Sequence, residues 1–311
     1  MAIGIGRRLS TICAVGAALG SSSLTAGLCA AAELEGRIAI IQARSGPLEE
    51  YGNQAIIGFG LGLEYATGGT LQVAGKKIVV IERDDAGKAL LAAAYADDRA
   101  DIAVASTSSS VALAMLPVAE EVKQVLVVEP AAADSITGAQ WNRYVFRTSR
   151  SSSQEAMANA VVLDKPGVSI ATLTQSNARG RDGVKAFKQA LSNAKIVHEE
   201  YLPATTTDFT APAQRLIDGL RGLPGRKVVF VLWAGGGNPF KLAELDLKRH
   251  GIEIAAIGNS LAVMAPHKNF PGLEGATYYY YGIPKNPIND WLVLQDQGRP
   301  VGRLGRARAC S

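Results

Sequence analysis

The segment ADIAVASTSSSVALAMLPVAEEVKQVLVVEP, residues 100–130, contains a short apolar run, five hydroxyl residues, a helix-like stretch and a second apolar run. Val111, Met115 and Val118 fall on one stripe of the helix-like stretch. Both apolar runs are continuous and rich in β-branched residues, which is typical of parallel strands buried on both faces. The segment therefore predicts a strand–helix–strand unit of an α/β protein.

The same alternation of strand-like and helix-like runs covers residues 34–293 and restarts once, near residues 146–150. This predicts two Rossmann-like α/β lobes of roughly 110–130 residues each, an ordinary domain size. Ligands of open α/β sheets bind beyond the carboxyl ends of the strands. A cleft between the two lobes is therefore the expected place for a site.

Residues 106–110, with the sequence Ser-Thr-Ser-Ser-Ser, lie between a predicted strand and a predicted helix. Side-chain oxygens of Ser and Thr cap helices because they accept hydrogen bonds from the free N–H groups of the first turn. One cap needs one hydroxyl, whereas five are present. The surplus predicts a loop that offers hydroxyls and backbone N–H groups to an anion.

The first residues have the pattern of an export signal. Two arginines precede an apolar stretch that ends near Leu28, and small residues follow. The stretch is too short and too polar for a spanning helix. We expect residues 1–32 to be a signal peptide, cleaved after Ala31 or Ala32, that exports the protein to the periplasm. Lipidation of Cys29 is the alternative.

The other end has a different composition. The stretch LQDQGRPVGRLGRARACS, residues 294–311, contains four arginines and three glycines and shows no apolar periodicity. It is either a basic arm for nucleic acid or a truncated or out-of-frame end. We expect the second, because the pattern stops within an element. An aberrant tail would leave the first lobe incompletely covered, and we expect poor solubility and weak binding.

Charge and residue types exclude several classes of function. The net charge is +4, but residues 1–32 contribute two arginines and residues 298–311 four, so residues 33–297 carry −2. Such a body gives no argument for a nucleic-acid partner. The three cysteines lie in the signal or the tail, and the three histidines are scattered. We therefore expect no metal, no cofactor and no catalytic residues.

Six segments occur together in an order typical of one family: SGPLEEYGNQAIIGFGLGLEYATGG, STSSSVALAMLPVAEE, VEPAAAD, YVFRTS, GRDGVKAFKQAL and TTTDFTAPAQRL. Over about residues 34–293 the chain resembles the leucine/isoleucine/valine-binding family of periplasmic solute-binding proteins, which serve ABC importers. The resemblance implies a type I periplasmic binding protein fold with a three-segment hinge. It implies lobes at 33–147 and 148–280, and the start of a return across the hinge at 281–293.

The resemblance also implies a ligand site in which the serine loop holds a carboxylate, with Ser109 matching the carboxylate-binding serine. Ala131 and Ala133 stand where the family contacts an amino group, and Asn259 and Ser260 stand where it has an acidic partner. The implied ligand-binding residues are Tyr51, Ser108, Ser109, Ser110, Ala131, Ala133, Arg179, Trp233, Asn259 and Tyr281.

An uncharged turn at Asn259 cannot neutralise a buried ammonium, whose desolvation costs several kcal/mol. The resemblance therefore implies that the carboxylate half of an amino-acid site is kept and that the ammonium half is lost. The expected ligand is a small carboxylate: an amino acid, an amine-free aromatic or branched acid, or an amide. The expected function is the periplasmic substrate-binding component of a branched-chain-amino-acid-type ABC transporter, a monomer that works with inner-membrane permease subunits.

Structural interpretations of the same residues remain open. Ser109 is either a ligand contact or a helix cap, and Trp233 and Tyr51 are either cleft walls or core. Arg179 is either a ligand contact or a surface charge or interlobe ion pair. The four tyrosines of residues 278–281 either form a hinge strand with alternate rings buried or bring Tyr279 or Tyr281 against the ligand. The alternative function is a nucleotide-dependent enzyme on a doubly wound sheet, with an acidic residue at 84–85 binding a ribose.

Overall fold

The structure, a computed structural model, describes residues 34–85, 90–259, 269, 274–277 and 279–298. Within them the chain forms two sheets, each in its own lobe, and all strand pairs but one are parallel. The expected fold of two α/β lobes is confirmed. The predicted signal peptide and residues 299–311 of the predicted tail lie outside the described residues.

Lobe 1 contains the six-stranded sheet, with strands in the order β2-β3-β1-β4-β5-β6. Only the short β2 is antiparallel to its neighbour. The strands are β1 Glu35–Gln42, β2 Gln72–Val73, β3 Lys76–Asp84, β4 Ile102–Ala105, β5 Val125–Val128 and β6 Val145–Arg147. The helices are α1 Glu49–Ala66, α2 Leu91–Ala96 and α3 Ser109–Val122.

Lobe 2 contains the five-stranded sheet, with strands in the order β11-β10-β9-β7-β8. The chain enters it directly after β6, through residues 148–151. The strands are β7 Val168–Gln175, β8 Lys195–Leu202, β9 Arg226–Leu232, β10 Ile252–Asn259 and β11 Glu274–Thr277. The helices are α4 Ser152–Leu163, α5 Ala178–Ala190 and α6 Thr210–Leu220.

A last helix, α7 Pro287–Gly298, lies against lobe 1. Its Trp291 ring meets the Tyr65 ring of α1 edge-on, with 5.1 Å between centroids. Tyr279 Oη donates to Asn289 Oδ1 at 2.6 Å, which fixes the start of α7 to the segment before it. Because α7 extends to Gly298, it includes residues 294–298, which were assigned above to the tail.

The two sheets differ in how their faces are covered. In lobe 2, one face packs under α4 and α5 and the other under α6 and the segment that follows β9. In lobe 1, α2 and α3 cover one face with an extended core. The other face is covered by α1 through a small cluster of Ile40, Ile56 and Val104. A cavity remains beside that cluster.

Two local expectations are wrong. The stretch NPFKLAELDLKRHG, residues 238–251, is one of the helix-like runs of the sequence and predicts a single helix. It forms a pair of short 3₁₀ segments instead, Pro239–Glu244 and Leu247–His250, because Leu245 is extended and Asp246 has a φ of +24°. The tyrosine run does not bury alternate rings, since Tyr279, Tyr280 and Tyr281 are all about two-fifths to one-half exposed. Tyr278 lies outside the described residues.

Candidate functional site

The lobes meet at the carboxyl ends of their strands. Gly235, after β9, packs so closely on lobe 1 that an added Cβ would lie 2.1 Å from the Pro47 carbonyl oxygen, after β1. The N–H and the hydroxyl of Ser135, after β5, both donate to Asp182 Oδ2 on α5, at 2.9 Å and 2.8 Å. The loops that follow the strands therefore face one another across a cleft, which is where ligands of open α/β sheets bind.

The first three hydroxyls of the serine loop, at residues 106–108, serve the loop itself. Ser106 Oγ donates to Asp85 Oδ2 at 2.7 Å, and Thr107 Oγ1 donates to Gln42 Oε1 at 2.8 Å. Ser108 is the N-cap of α3, with its Oγ accepting from the backbone N–H of Val111 at 3.5 Å. These bonds tie together the carboxyl ends of β1, β3 and β4.

Ser109 and Ser110 have different surroundings. Ser109 is buried, and its Oγ accepts a hydrogen bond from the Ala133 N–H at 3.2 Å. Ser110, in the first turn of α3, is exposed. The helix cap is thus Ser108 rather than Ser109. Of the three serines assigned to the ligand, Ser110 is the one whose side chain is open to solvent at the helix N-terminus.

The alanine loop, residues 131–133, has its carbonyl groups occupied. Ser149 Oγ donates to the Ala131 carbonyl at 3.1 Å, and Arg147 Nη1 donates to the Ala133 carbonyl at 2.7 Å. Burial lowers the pKa of Arg147 from its ordinary value, and the nearby Asp134 opposes that shift. The Ala131 carbonyl, expected to accept from a ligand amino group, therefore has a partner within the protein.

Arg179 belongs to a buried ionic group. Its Nη2 lies 3.0 Å from Glu155 Oε2, and Arg150 Nε lies 2.6 Å from Glu155 Oε1. The Arg179 side chain is 14% exposed and the Glu155 side chain 5%. The expectation of a solvated charge or an interlobe pair is therefore wrong, because α4 and α5 of the same lobe bury the contact. Two guanidinium groups share the Glu155 carboxylate, and the Arg150 charge also acts on the Glu129 carboxyl.

Trp233 is part of the lobe 2 core rather than a wall of the cleft. It is 5% exposed and meets the Phe209 ring edge-on, with 5.6 Å between centroids. Its indole N–H donates to the Gly236 carbonyl, which satisfies the one polar group of the ring. The ring thereby supports the glycine loop, residues 235–237, that faces lobe 1.

Tyr51 and Tyr281 line a second feature, the α1-side cavity. This cavity of about 1090 Å³ lies between the sheet of lobe 1, α1 and α7. Its apolar walls include Ile38 and Val127, and its polar end includes Gln42, Glu129, Thr148 and Arg150. The structure thus brings two of the predicted tyrosines together, but on the opposite face of the sheet from α3.

The polar end of the α1-side cavity escaped the sequence reasoning. Gln42 Nε2 donates to the Glu129 carbonyl at 2.7 Å, and Thr148 Oγ1 donates to Glu129 Oε2 at 3.0 Å. Burial raises the pKa of Glu129, while the Thr148 hydroxyl and the Arg150 charge oppose the rise. The sequence did contain a signal for this polar end, because a polar residue stands at the end of each of two apolar strand runs. Gln42 is the last residue of β1, and Glu129 directly follows β5.

Asn259 ends β10, and its side chain lies outside the described part of the structure. The same holds for Ser260, so the uncharged turn stays a prediction. Over the residues that are described, no three His, Cys, Asp or Glu side chains are grouped as metal ligands would be. No helix among those residues is long and apolar enough to span a membrane.

Comparison with known proteins places these features in context. The family model for "Periplasmic binding protein" matches residues 35–293. A crystal structure of an ABC-type branched-chain amino acid transporter from Rhodopseudomonas palustris CGA009 has 57% sequence identity and a TM-score of 0.69, covering 84% of this chain and 72% of that one. No curated protein matches the chain.

Two further structures contain aromatic acids. A solute binding protein of an ABC transporter from R. palustris HaA2, in complex with p-hydroxybenzoic acid, has 25% identity and a TM-score of 0.70, covering 86% of this chain and 74% of that one. A second solute binding protein of an ABC transporter, from R. palustris BisB5 and in complex with 3,4-dihydroxybenzoic acid, has 26% identity and a TM-score of 0.58. The match covers 71% of this chain and 61% of that one.

Proposed function

The chain belongs to the periplasmic binding protein family, and from this premise we propose that it captures a small aromatic carboxylate between its lobes for an ABC importer. The observation that carries the proposal is the cleft at the carboxyl ends of both sheets, where the exposed Ser110 opens α3. A helix N-terminus with free N–H groups and a hydroxyl favours an anion.

The surroundings of the cleft favour an acid without an amino group. The Ala131 carbonyl already accepts from Ser149, and Ala133 has no side-chain oxygen for an ammonium. Two structures of similar proteins contain hydroxylated benzoic acids, which supports the aromatic acid over a branched one.

The role in transport is supported by the family and by similar proteins that belong to ABC transporters. On this proposal the protein is exported through the cleaved signal of residues 1–32, works as a monomer and delivers its ligand to permease subunits in the inner membrane. Ser110 and the α3 N–H groups then contact the ligand, whereas Tyr51, Tyr281, Trp233 and Arg179 do not.

The enzyme alternative has no specific observation in its favour. Asp84, the candidate for a ribose, accepts from the Arg44 N–H at 3.0 Å and from Ser45 Oγ at 3.1 Å. Asp85 accepts from the buried Ser106. Both carboxylates therefore hold the serine loop and the loop after β1.

Calorimetric titration tests the proposal with p-hydroxybenzoate, benzoate, leucine and benzamide as probes. We expect binding of the two acids and none of leucine or benzamide. A ligand at one hundred times its Kd should stabilise the protein by about 2.7 kcal/mol, which thermal unfolding detects independently. Binding of leucine alone would identify an amino-acid receptor and overturn the proposed ligand class.

A further inference from the structure

Asp182, near the start of α5 in lobe 2, accepts two hydrogen bonds from one residue of lobe 1. The Ser135 N–H and hydroxyl lie 2.9 Å and 2.8 Å from the same oxygen, Asp182 Oδ2. Both residues are half-buried. Hydrogen bonds to an ionised acceptor are roughly twice as strong as neutral ones. This contact therefore favours the arrangement in which the lobes are together.

A second interlobe contact lies at Gly235. Its φ is +66°, and an added Cβ would lie 2.1 Å from the Pro47 oxygen and 2.9 Å from the Leu48 side chain. Only a residue without a Cβ permits this approach of the two backbones. Neither this contact nor that of Ser135 requires a bound ligand, so both are available to the empty protein.

The contact between Ser135 and Asp182 differs in its distance from the interlobe crossing from the contact made by the preceding residue, Asp134. Asp134 bonds to the N–H and hydroxyl of Ser153, at 3.0 Å and 2.7 Å, immediately after the crossing at residues 148–151. A contact beside the crossing changes little when the lobes turn about it. Asp182 lies on the next helix, so its distance from Ser135 depends on the angle between the lobes.

We propose that Asp182 is a latch that holds the lobes closed in the absence of ligand, and thereby sets the rates at which the proposed site binds and releases its ligand. Closure of the empty protein hides the cleft, so the apparent association rate is reduced by the fraction that is open. The same latch also delays release from the closed complex. Removing it should raise both the association and the dissociation rate, whereas loss of a ligand contact raises mainly dissociation. The kinetic part of this proposal rests on the proposed function; the closure of the empty protein does not.

Small-angle X-ray scattering of the ligand-free protein tests the latch without any ligand. We expect Asp182→Ala to increase the radius of gyration, and Ser135→Ala, which keeps the N–H donor, to increase it less. Asp218→Ala is the matched control, because Asp218 pairs with Arg221 on the exposed surface of α6 in the same lobe. Thermal unfolding of each variant verifies that it is folded.

Stopped-flow binding of p-hydroxybenzoate supplies the second arm. Asp182→Ala should raise both rate constants by about tenfold or more, in line with the loss of a charge-assisted contact, and Asp218→Ala should change neither. If the scattering curves of Asp182→Ala and the unaltered protein superimpose, the latch is wrong, whatever the ligand. If the scattering changes but p-hydroxybenzoate does not bind, the latch stands and the proposed ligand is wrong.

Discussion

Ser109 Oγ lies 3.2 Å from the backbone nitrogen of Ala133, and this contact joins the serine loop to the alanine loop within lobe 1. The hydroxyl that best matches a carboxylate-binding serine is therefore buried in a structural bond. Ser110, one residue later, is the exposed hydroxyl at the start of α3. Of the two neighbouring serines, Ser110 is therefore the one whose substitution tests the proposed ligand contact.

Ser110→Ala should weaken p-hydroxybenzoate binding by about tenfold, the effect of losing one hydrogen bond to a charged group. The melting temperature of the ligand-free protein should not change, because the side chain is exposed. Ser108→Ala is the control: it removes the α3 cap and should cost about 1 kcal/mol of unfolding free energy. Titration calorimetry and urea unfolding measure the two effects. Unchanged affinity in Ser110→Ala would remove this residue from the site.

Glu155→Gln should destabilise lobe 2 more than Arg179→Gln does. The first change leaves two buried guanidinium groups without their carboxylate, at a cost of about 3–5 kcal/mol. The second leaves Glu155 paired with Arg150, 2.6 Å away, and should cost about 1.5–3 kcal/mol. Urea unfolding gives both values. The reverse order would show that the ionic group is not shared as described.

Asp164 links the end of α4 to the turn before β8 and should make stability depend on pH. The N–H groups of Ala194 and Asn193 lower its pKa from 3.8 to about 2. Because the folded pKa lies below the unfolded one, the ionised carboxylate stabilises the fold above about pH 4. That contribution is lost as the pH falls through about 2. Asp164→Asn should lower the unfolding free energy at pH 7 and flatten its dependence between those pH values.

Carbon-13 NMR titration of Asp164 checks the depressed pKa directly, and urea unfolding at several pH values checks the slope. Asp218→Asn, at an exposed carboxyl of α6, serves as the control. A pH dependence that is identical in Asp164→Asn and in the unaltered protein would contradict the assignment.

Glu129→Gln should stabilise the protein at neutral pH. Burial raises the pKa of Glu129, so the ionised form is disfavoured in the folded state, and the stability contribution present at low pH is lost as the pH rises through the folded pKa. Glutamine keeps an oxygen for the Thr148 hydroxyl without the charge. The gain should disappear at acidic pH, and Glu120→Gln on the exposed face of α3 should give none. A loss of stability at pH 7 would show that the carboxylate is needed as an ion.

The fold follows from local patterns, which explains why the sequence predicted it well. The β-branched runs of β4 and β5 and the stripe of Val111 and Met115 lie within a few residues of each other, so periodicity reports their packing directly. The missed 3₁₀ segments depend instead on one backbone conformation, the positive φ of Asp246. No pattern of residue types distinguishes that turn from a continuing helix.

The candidate site was predicted less completely, because its contacts are long-range. Arg179 and Glu155 are 24 positions apart, and Ser135 and Asp182 are 47 positions apart. Which of three consecutive serines caps α3 depends on where β4 ends. An aromatic residue after a strand, such as Trp233, satisfies the same pattern whether it faces the cleft or the core.

The uneven covering of the two sheets has a consequence for the order in which the molecule opens. In lobe 2, Phe187 and Phe230 are fully buried with their ring centroids 4.3 Å apart, and helices lie on both sides. In lobe 1, α1 is held to the sheet by a small cluster next to a cavity. Amide hydrogens of α1 should therefore exchange with solvent deuterons through local opening, while those of β7 and β9 exchange only through global unfolding. The protein should therefore unfold in stages, with α1 unfolding first and the centre of lobe 2 last.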